Sequence, residues 1–397
     1  MNTKEIIELG DKYLMRNYGR IPMAPVRGEG ARLWDADGKE YLDFVSGIAV
    51  NALGHCPLAV IEAVNDQVKK LIHCSNLYYI EPQVLLAKIL VENSCMDKAF
   101  FCNSGAEANE AAIKLARKHA KVKHGPDKFE IVTALNSFHG RTLATITATG
   151  QPKYQKGFEP LPAGFKYVPF DDLNVMIDAV GPATCAVMLE PVQGEGGVNV
   201  PSDYYLKGVK ALCDEYGALL IFDEVQTGLG RTGRLFAYQH FEVEPDILTL
   251  AKALGGGFPI GAMLAKGEAA ETFQPGDHAS TFGGNPLASA VALAAVEEII
   301  EGKIVEHVNQ VGKILYSKLV ELSGKYHFIK EVRGMGLLLG MELDMEGKGI
   351  VSGCQEKGLL INCVNNNVLR FVPPLTISSN DVKQAVGILD EVMAGVK

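Results

Sequence analysis

Short apolar runs of strand length recur through the middle of the chain, at 185–189, 219–222, 247–250 and 258–265. Continuous apolar runs bounded by turn residues are typical of strands buried on both faces of a parallel sheet. Between the first two runs, apolar residues at 205, 206, 209, 212, 213 and 216 follow a helical period, and Gly217 predicts the end of that helix. Alternating strands and helices predict an α/β fold with a mostly parallel sheet.

The two ends of the chain follow other patterns. Residues 3–18 predict a helix, and Asp37-Gly38 within the alternating segment 31–44 predicts a β-hairpin. After a change in composition near 301–303, the pattern predicts a helix to about 323, strands at 329–343, a helix at 349–357, strands at 359–372 and a helix at 379–395. We therefore expect an N-terminal segment (1–45) that packs with the small domain, a large domain (46–300) and a C-terminal small α+β domain (301–397).

The composition is that of a globular protein of two or three domains, with 397 residues, 47% hydrophobic and 21% charged. The net charge of −9 and the lack of any run of five basic residues argue against nucleic acid or an anionic membrane as a partner. The first residues show no signal-peptide pattern, and no apolar stretch approaches the roughly 18 residues that span a bilayer. We expect a soluble, cytoplasmic protein.

The cysteines and histidines favour neither disulfides nor a metal site. The eight cysteines form no C-x-x-C pair and lie mostly in apolar surroundings, which is typical of reduced thiols in the cytosol. The nine histidines form no H-E-x-x-H or comparable spacing, so a catalytic metal is not indicated.

Ionisable residues directly follow two of the predicted strands. Asp223 and Glu224 end the run at 219–222, and Lys252 follows the run at 247–250 and precedes three glycines. Open α/β sheets bind ligands at the carboxyl ends of their strands. A lysine and a carboxylate placed there suit pyridoxal phosphate, whose carbonyl forms a Schiff base with lysine and whose ring nitrogen faces an acidic group. Taken singly, the lysine also suits a solvated loop and the acidic pair a helix N-cap.

Three further segments carry candidate binding groups. Ser104 and Glu107 have the spacing of a capping box, and the amides of Gly105 and Ala106 at this helix start could bind a phosphate. Arg141 follows a glycine near a strand end and could clamp a carboxylate. The hydroxyls in the loop at 280–281 are explained as well by ordinary turn chemistry.

Several motifs together resemble the class III (ornithine-type) pyridoxal phosphate aminotransferases of fold type I. They are NSGAEANEAAIKLAR, SFHGRT, EPVQGEGG, LLIFDEVQTGLGRTG, the lysine of LAKALGGG, STFGGNPL and LRFVPPL. They stand in the family's order and cover nearly the entire chain. The resemblance implies a large domain with a mostly parallel seven-stranded sheet flanked by helices, and a smaller α+β domain.

Carried over position by position, the resemblance implies that Lys252 forms the Schiff base and Asp223 pairs with the pyridine nitrogen. Gln226 would contact the ring hydroxyl, and Phe138 would stack on the ring. The full set of residues implied to bind the cofactor is Ser104, Gly105, Ala106, Phe138, Asp223, Glu224, Val225, Gln226, Lys252, Ser280 and Thr281.

On the substrate side, the resemblance implies that Arg141 binds a carboxylate and Arg370 binds the α-carboxylate of glutamate. Glu195 would pair with Arg370 when the other substrate is present, and Ser280 also belongs to the substrate-binding set. Ser280 and Thr281 would reach the cofactor phosphate of a neighbouring subunit, so the family implies a homodimer with shared sites.

The segment SGIAVNALGH and the short chain most resemble those members that transfer the δ-amino group of N2-acetyl-L-ornithine to 2-oxoglutarate in arginine biosynthesis. Ile48 stands where ornithine-specific members carry a tyrosine, which argues for an acylated donor. Succinylornithine, succinyl-diaminopimelate, ornithine and other ω-amino acids remain alternative donors. An aminomutase acting on glutamate 1-semialdehyde shares the scaffold, and a binding protein without cofactor is the non-enzymatic alternative.

Overall fold

The structure is a computed structural model and describes residues 1–396. Within that range the α-helices are α1 Thr3–Tyr13, α2 Ser46–Ala49, α3 Leu58–Gln67, α4 Glu81–Glu92, α5 Gly105–His124, α6 Leu143–Ala148, α7 Pro152–Gln155, α8 Leu173–Ala179, α9 Tyr205–Tyr216, α10 Tyr238–Phe241, α11 Gly267–Ala270, α12 Pro286–Glu301, α13 Ile304–Lys325, α14 Lys348–Glu356 and α15 Ser379–Ala394. A short 3₁₀ helix spans Lys252–Gly255. None of these helices is both long and apolar enough to cross a membrane.

Seven strands form the central sheet. They are β4 Lys98–Cys102, β5 Glu130–Ala134, β6 Phe165–Val168, β7 Thr184–Leu189, β8 Leu219–Asp223, β9 Ile247–Leu250 and β10 Gly261–Ala265. The strand order is β4-β10-β9-β8-β7-β5-β6, and β10 pairs antiparallel with both of its neighbours, whereas the other pairs are parallel. The mostly parallel seven-stranded sheet implied by the family resemblance is confirmed.

The chain also forms two four-stranded sheets. The first has the order β1-β2-β3-β13, and the second has the order β11-β12-β15-β14. Their strands are β1 Pro25–Glu29, β2 Arg32–Asp35, β3 Glu40–Asp43, β11 Ile329–Met335, β12 Leu338–Leu343, β13 Leu359–Leu360, β14 Asn362–Val364 and β15 Val368–Phe371. Because β3 pairs with β13, the N-terminal hairpin joins a sheet with the C-terminal part of the chain. This pairing supports the grouping of 1–45 with the small domain, although the domain boundaries stay a prediction.

Both faces of the central sheet are buried, as the continuous apolar runs predict. Successive residues point to opposite faces of a strand, and one face, including Met188 and Ile221, packs on the alanine-rich side of α5. The other face, including Val187 and Phe222, belongs to the larger core that contains α9. The carboxyl ends of β7, β8 and β9 and the N-terminus of α5 therefore meet at one edge of the sheet, where open α/β sheets bind ligands.

Local signals in the sequence are mostly confirmed. The turn at Gly38 has φ 84°, which an L-residue rarely adopts, and it joins β2 to β3 in the predicted hairpin. Gly217 ends α9 in the left-handed region, as predicted. The first helix is shorter than the predicted 3–18, since it ends at Tyr13 and the following residues are largely exposed. Such exposed residues lack the packing that stabilises most helices in proteins.

Candidate active site

A cavity of about 430 Å³ opens at the carboxyl edge of the central sheet. Its lining includes Asp223 at the end of β8, Lys252 after β9, Glu190 after β7, and the start of α5. Residues from distant parts of the sequence meet here because strands and helices alternate along the chain. The structure thus brings together the lysine and the aspartate that the sequence singled out.

Asp223 is buried and accepts three hydrogen bonds. Its Oδ2 accepts from Asn109 Nδ2 and from His139 Nδ1, both at 2.8 Å, and its Oδ1 accepts from the Val225 amide at 3.0 Å. Asn109 is itself fixed, because its Oδ1 accepts from Thr249 Oγ1 at 2.7 Å. A carboxylate offers about four acceptor positions, so Asp223 keeps one for a donor in the cavity.

Lys252 lines the same cavity as Asp223, and its backbone conformation is unusual. Its φ of 45° is rare for a residue with a side chain, and such strain is concentrated at functional sites. Burial lowers the pKa of its ammonium group, and the charge of Arg370 lowers it further. The carboxylates of Glu195, Asp223 and Glu190 oppose this shift but do not cancel it. A larger fraction of Lys252 is therefore a neutral amine, which is the nucleophilic form.

An ion pair lies beside the lysine. Arg370 on β15 is fully buried, and its Nη1 donates to Glu195 Oε1 at 2.5 Å and to Gln226 Oε1 at 3.2 Å. Burial disfavours the ionised form of Glu195, but the charges of Arg370 and Lys252 outweigh it, so the pKa of Glu195 is lowered. Arg370 Nη2 is buried and has no acceptor within residues 1–396. This guanidinium thus has hydrogen-bonding capacity left for another anionic group.

Glu190 connects two loops of the site. Its Oε2 accepts from the Phe138 amide at 3.0 Å, and its Oε1 accepts from the Gly194 amide at 3.2 Å. Burial raises the pKa of Glu190 to about 7, with the charge of His139 opposing the shift and that of Asp223 adding to it. The side chain holds the loop that carries Phe138 against the turn that carries Glu195.

Phe138 and Arg141 belong to the outer wall of the cavity, and Tyr154 packs against both of them without lining it. Phe138 and Tyr154 meet edge to face with centroids 5.9 Å apart. The exposed Arg141 stacks on Tyr154, with Cζ 4.0 Å from the ring centroid, and lies 5.5 Å from the Phe138 centroid. The wall therefore carries a cation at the mouth of the cavity.

The start of α5 supplies amide donors. Ser104 Oγ accepts from the Glu107 amide at 3.2 Å, but the Glu107 carboxylate accepts from Asn103 rather than from Ser104, so only half of the predicted capping box forms. First-turn amides such as those of Gly105 and Ala106 have no acceptor within the helix. A Cβ at position 105 would lie 2.8 Å from Val225 Cγ1, so glycine keeps this approach open.

Some residues implied by the resemblance lie outside the cavity wall. The Glu224 carboxylate accepts from the amides of Ala237 and Tyr238 at 2.6 and 2.8 Å, so it caps α10 and does not line the cavity. Ser280 and Thr281 line a separate cavity of about 500 Å³, together with Asn103. Arg370 lies behind Glu195 and is not part of the wall.

Four residues of the site were not assigned a role from the sequence: Asn109, His139, Glu190 and Tyr154. The first three lie within the motifs quoted above, but the motifs alone do not indicate what these residues do. Their roles depend on contacts across the fold, such as that between Asn109 and Asp223. Tyr154 had no local signal, because it reaches Arg141 from the separate helix α7.

These observations fit pyridoxal phosphate. The acceptor position left on Asp223 suits the protonated ring nitrogen. The lowered pKa of Lys252 favours a neutral amine, which suits the cofactor's carbonyl carbon. The free amides at the start of α5 suit a phosphate. A lysine and an aspartate facing one cavity from neighbouring parallel strands define a pyridoxal phosphate-dependent transferase of fold type I.

Comparison with known proteins narrows this class. The model of the class III aminotransferase family matches residues 13–393, and the chain belongs to this family. The protein is therefore a pyridoxal phosphate-dependent aminotransferase, as the sequence resemblance implied.

The chain is similar to known proteins over almost its full length. It is 55% identical to an acetylornithine aminotransferase from Caldanaerobacter subterraneus subsp. tengcongensis, over 97% of this chain and 98% of the relative. It is 54% identical to one from Methanocaldococcus jannaschii over the full length of both. An ornithine aminotransferase from Toxoplasma gondii, solved with PLP at partial occupancy in its active site, matches with a TM-score of 0.96 at 36% identity, over 100% of this chain and 95% of that one.

Proposed function

We propose that the protein transfers the δ-amino group of N2-acetyl-L-ornithine to 2-oxoglutarate, giving N-acetyl-L-glutamate 5-semialdehyde and L-glutamate in arginine biosynthesis. The observation that carries this proposal is the ion pair between Glu195 and the buried Arg370 beside Lys252. An ω-amine donor brings no carboxylate to the reacting carbon, whereas glutamate does. A site that serves both needs an arginine with a removable partner.

The residues of the cavity divide the work of holding the cofactor. Lys252 would bind its carbonyl carbon, Asp223 would keep its ring nitrogen protonated, and Phe138 would stack on its ring. Ser104, Gly105 and Ala106 would hold the phosphate, and Val225 and Gln226 would contact the ring side. When bound, pyridoxal phosphate acts as an electron sink for the carbon that loses its proton.

Lys252 is also the candidate acid and base. With the cofactor and substrate in the cavity, the Lys252 amine would hold or move the proton at the reacting carbon. Burial lowers the pKa of Lys252, which favours the neutral amine, the form that can accept a proton. Asn109 and His139 hold Asp223 in place through the two contacts of 2.8 Å.

Arg370 and Glu195 would distinguish the two substrates. With acetylornithine bound, Glu195 stays on Arg370, because a buried unpaired guanidinium is costly. With glutamate bound, its α-carboxylate replaces Glu195 on Arg370. Arg141 at the mouth would take the distal carboxylate of either substrate with its planar fork of donors.

The choice of donor rests on two further observations. The two relatives at 54–55% identity are named acetylornithine aminotransferases and match this chain over nearly their full length. Ile48, an exposed apolar residue, stands where the resemblance places a tyrosine in ornithine-specific members. An apolar side chain offers no hydrogen bond to the charged α-amine of free ornithine, and an acylated α-nitrogen does not need one.

A donor panel with 2-oxoglutarate as acceptor tests the proposal. The panel holds N2-acetylornithine, N2-succinylornithine, succinyl-diaminopimelate and ornithine, and glutamate formation is measured for each. We expect the highest kcat/KM with acetylornithine. A higher value for another donor would reassign the substrate, and isomerisation of glutamate 1-semialdehyde without an acceptor would reassign the reaction.

We also propose a homodimer in which Ser280 and Thr281 reach the cofactor phosphate of the neighbouring subunit. Phe282 in this loop is exposed and apolar, and so are Leu77 and Tyr79 in the segment that Asn76 Nδ2 ties to the Ser280 carbonyl at 3.0 Å. Large exposed apolar patches mark protein interfaces. Tyr79 is fully exposed in the single chain. Sedimentation equilibrium of the holoenzyme should give twice the chain mass, and a monomer would contradict the proposal.

The remaining proposal is a cytoplasmic location. All eight cysteines are free thiols in the structure, and disulfides are rare in the cytosol. Labelling of the denatured protein without reductant should count eight thiols, and a lower count in protein purified under inert gas would contradict this location.

A further inference from the structure

We propose that Tyr154 is a positioning residue that sets substrate affinity by holding the guanidinium of Arg141 at the mouth of the cavity. This inference rests on the proposed function of Arg141 as the group that binds the distal carboxylate. The Cζ atom of Arg141 lies over the Tyr154 ring, 4.0 Å from its centroid, well within the range of a cation–π contact. Arg141 makes no side-chain hydrogen bond or ion pair within residues 1–396, so the two aromatic rings are its only support there.

Stacking and carboxylate binding use different parts of the guanidinium. A guanidinium stacks on an aromatic ring through its flat face, whereas its N–H donors lie in its plane and point outward. The same arginine can therefore remain on Tyr154 while its edge binds two oxygens of a carboxylate. A long side chain at an exposed position otherwise loses rotamer freedom when it binds, and that loss weakens binding. A ring that already holds the arginine reduces this loss.

The Tyr154 ring, which is the platform for Arg141, is fixed to the loop that carries Phe138. Helix α7 is anchored by Gln151, which is buried and whose Nε2 donates to the carbonyls of Asn136 and Ser137 at 3.3 and 2.9 Å. The Tyr154 amide donates to the Gln151 carbonyl at 3.0 Å. Tyr154 also meets the Phe138 ring edge to face, at 88°. The hydrogen bonds of Gln151 and the ring contact between Tyr154 and Phe138 thereby fix the position of Arg141 relative to Phe138, the residue proposed to stack on the cofactor ring.

The fixed position of Arg141 also selects among substrates. A substrate has its reacting amine or carbonyl at Lys252 and its distal carboxylate at Arg141, so the separation of these two groups sets the accepted chain length. Without the aromatic face, Arg141 would sample many rotamers, and the site would lose affinity for every substrate that carries a distal carboxylate. Amines without a carboxylate would be unaffected.

The test compares Tyr154→Leu with Tyr154→Phe in the purified holoenzyme. Isothermal titration with glutarate, an unreactive dicarboxylate, measures binding without turnover. Loss of a cation–π contact should raise the Kd for glutarate, and the KM for 2-oxoglutarate, by roughly 3- to 30-fold in Tyr154→Leu. We expect kcat at saturation to change by less than about 3-fold, since the reacting groups are untouched. Tyr154→Phe keeps the ring and should stay within about 2-fold of the wild type.

Two controls separate this inference from the function on which it rests. Lys153→Gln removes another cation near the same ring, 4.9 Å from its centroid, and should leave the Kd for glutarate unchanged. Arg141→Leu should raise that Kd at least as much as Tyr154→Leu does. If Arg141→Leu raises the Kd and Tyr154→Leu does not, the platform is refuted while the proposed function of Arg141 stands.

Other outcomes also decide the question. An unchanged Kd in Arg141→Leu would overturn both the role of the arginine and the platform. Single-turnover reaction with n-butylamine, which carries no carboxylate, should proceed at the wild-type rate in Tyr154→Leu. A slower reaction with this amine, or a similar loss in Tyr154→Phe, would show general damage to the site and overturn the inference.

Discussion

Replacing Glu195 with glutamine should shift the preference of the enzyme from the ω-amine donor to glutamate. The change removes the negative charge that faces Arg370. It keeps a side-chain oxygen that can accept the hydrogen bond from Arg370 Nη1, which is 2.5 Å long in the wild type. With acetylornithine, Arg370 then lies buried beside a neutral group. With glutamate, the incoming carboxylate pairs with Arg370 and no longer competes with Glu195.

The magnitude follows from the environment of the pair. Hydrogen bonds to charged groups contribute about 1.5–3 kcal/mol. Glu195 is 23% exposed and Gln226 also accepts from Arg370, so we discount this range for solvent screening and the second acceptor, to about 1–2 kcal/mol. That free energy corresponds to a roughly 5- to 30-fold rise in the ratio of kcat/KM for glutamate to kcat/KM for acetylornithine.

Separate half-reactions measure this ratio directly. Each donor alone is mixed with the holoenzyme in a stopped-flow instrument, and loss of the cofactor's visible band gives the rate. Glu346→Gln removes the same charge from an exposed position of the C-terminal part and should leave the ratio at its wild-type value. An equal ratio in wild type and Glu195→Gln would refute the proposed exchange of partners on Arg370.

Three further predictions concern the cofactor, the core and the subunit interface. Lys252→Ala should abolish transamination and the mass gained after borohydride reduction, whereas Lys266→Ala should keep both; a retained label in Lys252→Ala would place the covalent bond elsewhere. Burial raises the pKa of Glu224 from its ordinary 4.5 to about 7, so the folded state keeps this proton to higher pH than the unfolded chain, and the resulting stabilisation is lost as pH rises from about 5 to about 7. Glu224→Gln should therefore flatten the fall of Tm across that window, lower stability by about 1–3 kcal/mol because one amide loses its acceptor, and leave the cofactor spectrum unchanged; an unaltered slope would contradict this. Phe282→Asp should weaken the dimer in sedimentation velocity at micromolar concentration, whereas Tyr204→Asp, at an equally exposed position, should not; intact dimers in the first variant would place the interface elsewhere.

The sequence located the residues near the site better than it predicted the directions in which their side chains point. Asp223 and Lys252 were found because each follows an uninterrupted apolar run, and such runs locate the carboxyl ends of buried strands. Glu224 was included because it adjoins Asp223 in the family motif. Neighbouring residues at a strand end point in opposite directions, and Glu224 indeed faces the amides of 237 and 238. Applying the two-residue period at this point would have separated the two carboxylates.

Other parts of the site depend on contacts that no local pattern records. Asn109 reaches Asp223 across 114 positions of sequence, and Tyr154 on α7 reaches Arg141 in the loop before α6. The half-formed capping box is a further example, since Glu107 satisfies Asn103 instead of Ser104. Sequence spacing narrows the set of partners that a polar side chain can reach. Tertiary contacts decide which of these partners it binds.

The charges around Lys252 explain how one lysine could serve both as a covalent anchor and as a base. Three carboxylates, Asp223, Glu190 and Glu195, favour its charged form, whereas burial and Arg370 favour the neutral amine. Glu195 lies on Arg370, and burial raises the pKa of Glu190 to about 7, so neither is a fully available counter-charge. Asp223 accepts from Asn109, His139 and the Val225 amide, which spread its charge away from the lysine. The carboxylates therefore oppose the lowering of the Lys252 pKa without cancelling it, and burial, which is the largest cause, together with Arg370 keeps that pKa lowered.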